Sequence, residues 1–141
     1  MSSPSNRAEP ANLDLYLYLL IARVLLVVIF PISGWAKLSN LAGTVTMLAN
    51  LGTPMPDIAV WFAIGFELVL PVLIILGLFS RWAALGLIVY TACTVILAHR
   101  FWEYSGQAQF GQTMSFFKNI SVMLGLGFIL QFGPGRYALK P

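Results

Sequence analysis

The sequence predicts an all-α fold, an integral membrane four-helix bundle. Three observations predict it: very few charges, four apolar stretches of spanning length, and turn-forming residues between them. Of the 141 residues, 59% are hydrophobic and 9% charged, with a mean hydropathy of +0.84. A soluble domain carries about 25% charged residues to cover its surface. A soluble fold of this length buries only about two-thirds of its chain's surface. The remainder here would be Leu, Phe and Trp facing water as one large apolar patch. Lipid is the solvent that suits such a chain, and the bilayer is its first expected partner.

The elements follow in order. Residues 1–12 (MSSPSNRAEPAN) are polar and read as a disordered tail. A helix needs about 20 apolar residues to cross a bilayer. The first such segment is 13–37, with Arg23 and Pro31 inside it. Arg23 interrupts the apolar run and no small-x-small cleavage site follows, so this segment reads as a retained spanning helix rather than a signal peptide. The second is 58–79, containing Glu67 and Pro71, and the third is 82–98, free of charge and flanked by Arg81 and His99-Arg100. The fourth is 114–132. The stretch 120–132 is too short alone, so 114–120 must join it and bring in Lys118.

The connections agree with this division. Residues 50–57 (NLGTPMPD) are dense in turn formers, and Asp57 stands where it would cap the second helix. Residues 79–81 form a tight reversal. Residues 101–113 (FWEYSGQAQFGQT) form the longest polar stretch and read as a loop carrying aromatic belt residues. Gly133-Pro134-Gly135 stops the last helix, closing a helical domain at 13–133 before a short tail, 134–141.

The net charge of +3 is spread over single Lys and Arg residues at segment ends. They stand as headgroup anchors would, which excludes nucleic acid as a partner. One cysteine, Cys93, provides neither an internal disulfide nor a Cys-based cluster. One histidine, His99, provides no His-based site, so no metal is expected. An even number of spans puts both termini on one side. If that side is the cytoplasm it holds Arg7, Arg81, Arg136 and Lys140, with Lys37, Arg100 and Lys118 opposite, a balance that leans toward cytoplasmic termini.

Arg23 and Glu67 are the charges that apolar segments should not contain. Intramembrane ionisable residues are costly, by a contested 2.5–3.5 kcal/mol or more for Arg, roughly, on insertion scales, and usually face a partner in the bundle interior. Each lies about 14 Å from its own segment end at 1.5 Å per residue. Counting from opposite faces of a core about 30 Å thick puts both near the midplane. The expectation is a buried Arg23–Glu67 ion pair. Pro71 supports it by freeing the carbonyl of Glu67, four residues earlier, for a guanidinium. Pro31 frees that of Val27 in the same way.

A second group gathers at one end of the bundle: Lys37, His99, Arg100 and Lys118. Arg23, Phe30, Gly34 and Lys37 share one helix face, and Ser115, Lys118, Ser121 and Gly125 share another. Gly34, Lys37, Glu67, His99 and Lys118 are therefore the candidate lining of a polar cavity. Trp35 and Trp61 are candidate flanks for an apolar ring. Plainer readings stand beside these. The buried pair can serve only to fix helix register, and Lys37, Arg100 and Lys118 can be anchors whose ammonium or guanidinium groups reach the headgroups. His99 can be an interfacial residue, Cys93 a small core residue between Thr91 and Thr94, and Ser121-x-x-x-Gly125 a packing motif.

Taken together, these motifs resemble one family. Arg23 in the first helix is followed by Ser33-Gly34-Trp35-Ala36-Lys37-Leu38, then Gly65-Phe66-Glu67-Leu68, then Gly77-Leu78-Phe79-Ser80-Arg81. Lys118-Asn119-Ile120 and Gly133-Pro134-Gly135-Arg136 close the chain. Their order and spacing resemble the DoxX family of bacterial membrane proteins. The resemblance implies a four-helix protein of the bacterial inner membrane. It also implies an association with quinone-linked redox chemistry, thiosulfate:quinone oxidoreduction and resistance to quinones or oxidative stress. The expected function is thus a membrane subunit or accessory factor of a quinone-linked redox system, without a cofactor of its own beyond a quinone. Its expected partners are other oxidoreductase subunits or further copies of the chain. A small-molecule transport subunit and a structural assembly factor are the alternatives. A single cysteine leaves no pair for a thiol relay.

Overall fold

The computed structural model describes residues 9–140. The expected N-terminal tail therefore lies outside the described residues up to residue 8, and residues 9–12 already belong to the first helix. The helices are α1 (Glu9–Val27), α2 (Ile29–Ser39), α3 (Leu41–Asn50), α4 (Pro56–Leu76), α5 (Ser80–Ala98) and α6 (Gly106–Phe132). A 3-10 turn, Phe101–Glu103, precedes α6. Four segments are long and apolar enough to cross a membrane: Leu13–Ser39, Pro56–Leu76, Ser80–Glu103 and Gly106–Phe132. The all-α four-span architecture is the one the sequence predicts.

Four details differ from the expected elements. The first span is divided, α1 passing into α2 at Val28 while the backbone stays right-handed (φ −60°, ψ −26°). Pro31 explains the site of the division, because it has no N–H for the carbonyl of Val27. A short helix, α3, occupies a stretch given no element from sequence. It is capped by Asn40, whose Oδ1 accepts from Gly43 N at 3.3 Å. Finally, α6 begins at Gly106 rather than residue 114. Gln107, Ala108 and Gln109 are good helix formers and extend the span into the stretch expected as a loop. Asp57 lies in the first turn of α4, and the cap position is Met55, at φ 50°.

The helix α4 packs against α1, α2, α3 and α5, while α6 joins α5 to α1 and closes the bundle. Val27, Ile74, Leu87 and Leu126 are wholly inaccessible at its centre. Trp82, Phe132 and Leu124 stand outside at 75%, 76% and 68% exposure, as lipid-facing side chains do. Close helix contacts use small residues. A Cβ at Gly125 would lie 2.7 Å from Leu26 Cδ1, and one at Gly86 2.9 Å from Leu70 Cδ1.

The end of α4 is built by residues from two distant parts of the chain. Gly77, at φ +73°, turns the backbone so that Leu78 N donates to Leu73 O (2.8 Å) and Gly77 N to Ile74 O (3.1 Å). Residues 133–140 return across this end, where Leu139 N donates to Leu76 O (3.0 Å) and Lys140 N to Gly77 O (3.1 Å). The segment expected as a short tail is therefore packed through Lys140, and Pro141 lies outside the described residues.

Candidate functional site

Two polar centres lie on α4. At its C-terminal end, Arg23 is 4% exposed. Its Nη2 donates to Ile75 O (2.9 Å) and Tyr137 O (2.7 Å), and Nη1 to Pro134 O. Ile75 O is one of the four carbonyls a helix end leaves unpaired, and a cation there also meets the negative end of the helix dipole.

The second centre is Glu67, also 4% exposed. Lys37 Nζ lies 3.0 Å from its Oε1 and 2.9 Å from its Oε2. Tyr90 OH donates to Oε1 at 2.8 Å, and Ser33 Oγ at 3.3 Å. Lys37 also donates to Ser33 Oγ at 2.6 Å. The Tyr90 ring stacks on Phe66, centroids 5.5 Å apart and planes within 6°. Gly34 allows this approach, since a Cβ there would stand 3.0 Å from Glu67 Cβ.

The expected Arg23–Glu67 pair does not form. Arg23 is level with Ile75, eight residues beyond Glu67, or about 12 Å along the helix. The first span has 27 residues against 21 in α4. Counting depth from the segment ends therefore set Arg23 too near the midplane. Lys37, on α2, is the partner of Glu67.

Above Glu67 lies a cavity of about 370 Å³, bordered by α2, α3, α4, α5 and α6. Lys37, Glu67, His99 and Lys118 line it together with Tyr90 and Thr91. Gly34 is not part of the lining; it packs behind Glu67. Met47, Leu48 and Leu51 cover it from α3 and the residue after it. His99 Nδ1 is held by Gln112 Oε1 at 2.9 Å. Thr91 is 2% exposed, and its Oγ1 has no hydrogen-bond partner.

The DoxX family model matches residues 18–100. The chain belongs to the DoxX family. It is similar to the inner membrane protein YphA of Escherichia coli (strain K12), 38% identical over 121 residues that cover 86% of each chain. It is also similar to the inner membrane protein YqjF of the same organism, 29% identical over 122 residues, 85% of this chain and 87% of that one. No solved structure matches it. Within this DoxX protein the matched stretch holds Arg23, Lys37, Glu67, Tyr90 and His99, while Lys118 comes from α6 beyond it.

Other expected residues of the DoxX chain fall elsewhere. Trp35 and Trp61 are 66% and 53% exposed and do not border the cavity. Arg100 pairs with Glu103 at 3.3 Å. Ser121 Oγ returns to Phe117 O (3.0 Å). Cys93, expected in the core, is exposed and borders the cavity instead. Sequence reasoning overlooked Ser33, Tyr90 and Thr91. Ser33 carried a signal, standing one helical turn before Lys37 on the same face. Tyr90, a phenol within a charge-free span, carried another, since a buried hydroxyl calls for a partner.

Proposed function

We propose that this DoxX-family chain is an inner-membrane subunit or accessory factor of a quinone-linked redox system, and that the cavity above Glu67 seats the lipophilic ring. The placement in the inner membrane is supported by the names of YphA and YqjF. Cytoplasmic termini are supported by the charge balance of the connections. The observation that carries the ligand reading is the convergence of Lys37, Tyr90, Thr91, His99 and Lys118 on one largely apolar cavity. About 370 Å³ falls in the usual range for a small-molecule site, roughly 300–1,000 Å³.

The residues present fit such a group. A quinone offers carbonyl acceptors, so its site needs hydrogen-bond donors. Thr91 Oγ1 has no other partner, and Lys118 makes no salt bridge among the described residues. When bound, the quinone would supply a two-electron, two-proton acceptor, the electrons coming from another subunit. The chain's own part is to hold and orient the ring, to exclude lipid with α3, and to keep protons at Lys37 and Tyr90 beside the Glu67 carboxylate.

Equilibrium dialysis of the purified protein against a short-chain ubiquinone analogue tests this reading. We expect saturable binding of one equivalent, weakened about tenfold, or ~1.4 kcal/mol, by Lys118→Ala and by the cavity-filling Thr91→Leu. Absence of saturable binding, or equal affinity in Thr91→Leu, would overturn it. The assembly-factor reading would then be the stronger.

A further inference from the structure

We infer that the cavity between the α4–α5 turn and the returning C-terminal segment binds the phosphate group of an anionic phospholipid. This is at the opposite end of the bundle from the cavity above Glu67 and independent of the quinone reading. Two sequence motifs that the first site leaves unused meet here, Gly77-Leu78-Phe79-Ser80-Arg81 and Gly133-Pro134-Gly135-Arg136. They enclose a cavity of about 510 Å³, bordered by Ser80, Arg81, Trp82, Phe132, Gly133 and Lys140.

The chemistry of this cavity is that of an anion site. It lies at the N-terminus of α5, a helix of 19 residues with no side-chain cap. The first amides of a helix have no partner within it, and the dipole there favours negative charge. Arg81 and Lys140 bring two cations, and neither forms a salt bridge among the described residues. The Arg81 guanidinium packs against Gly133, its Nε and Nη2 3.5 Å from where a Cβ there would stand. Independently of these, Ser80 is 3% exposed and its Oγ has no hydrogen-bond partner. A buried hydroxyl without a partner is costly, and a phosphate oxygen at this helix end would satisfy it.

The surroundings favour a lipid as the source of the phosphate. Phe79, Trp82 and Phe132 rim the cavity with large exposed apolar side chains, which acyl chains would cover. The site stands where the spans end, at headgroup depth, and basic groups near the surface attract anionic lipids.

Native mass spectrometry of the full chain, released from micelles containing phosphatidylglycerol and phosphatidylcholine of the same acyl chains, tests the inference. We expect one phosphatidylglycerol retained per chain, with about tenfold preference over phosphatidylcholine from two cations. Arg81→Gln with Lys140→Gln should reduce that preference to near unity, and Ser80→Ala should weaken it. Lys140 is exposed at the chain end, so Lys140→Gln alone keeps the comparison if the double variant does not fold. Unchanged preference in these variants would overturn the site. Inorganic phosphate at millimolar concentration should not displace the lipid. Displacement by phosphate alone would overturn the lipid assignment in favour of a soluble anion.

Discussion

The Lys37 ammonium bridges both oxygens of the Glu67 carboxylate, at 2.9 and 3.0 Å, across the α2–α4 contact. The two ends of the pair are not equally dry. The Lys37 side chain is 19% exposed and that of Glu67 5%.

That asymmetry predicts the outcome of breaking the pair. Removing one partner of a buried pair is strongly destabilising, by about 3–5 kcal/mol, because a charge remains uncompensated. Lys37→Met strands Glu67, the drier group, and should approach this range. Glu67→Gln should cost less, since the freed ammonium can reach toward the surface and the amide keeps some hydrogen bonds. Lys37→Met with Glu67→Gln should recover part of the loss in thermal unfolding of the detergent-solubilised protein. Strictly additive losses would mean that the contact contributes nothing.

Arg23 behaves as a separate unit. Arg23→Leu leaves the carbonyls of Ile75, Pro134 and Tyr137 without their donor, and each unsatisfied buried group costs about 1–3 kcal/mol. Arg23→Lys should restore only part of this, because an ammonium does not reproduce the planar fork. In Arg23→Leu, limited proteolysis should cut residues 133–140 faster. Combined with Glu67→Gln, the losses should add to within about 0.5 kcal/mol, as for sites with no shared partner. A large coupling energy would contradict the separation of the two centres.

Gly34 sets how closely α2 approaches α4. A Cβ there meets Glu67 Cβ and Leu68, all at 3.0 Å. Gly34→Leu should overpack this contact and destabilise the protein by about 1–3 kcal/mol, while also reducing binding of the ubiquinone analogue. Gly34→Leu with unchanged melting temperature and binding would show that the helices have slack at this point.

Topology is testable by labelling. Cysteines introduced at Ser3 and Arg136 of a Cys93→Ser protein should react from the same side of the membrane with an impermeant reagent. One at Asp57, exposed in the first turn of the second span, should react from the other. Ser3 and Arg136 labelling from opposite sides would remove the even-span arrangement.

The four spans could be read from sequence because an apolar run of about 20 residues has few alternatives in lipid. The short helix α3 could not, because Leu41–Asn50 is half a span and its Gly43, Thr44 and Thr46 give a weak helical signal. The cavity residues Lys37, Glu67 and Lys118 were accessible as polar exceptions in apolar segments and His99 as the flank of one, and the structure brings all four to one cavity. The partner of Arg23 was not accessible in this way. A search that pairs side chain with side chain finds Glu67, whereas the actual acceptors are main-chain carbonyls, which every residue carries and no letter of the sequence marks.

Chain order gives the Arg23 contacts a temporal meaning. Arg23 belongs to the first span, while two of its three acceptors, Pro134 and Tyr137, follow the fourth. Translation proceeds from the N-terminus, so the guanidinium is made long before those acceptors exist. Its final environment can be completed only after the last span has emerged. A product truncated before residue 134 would keep all four spans and still lack the closure of its first one, its arginine left with Ile75 O alone of the three acceptors.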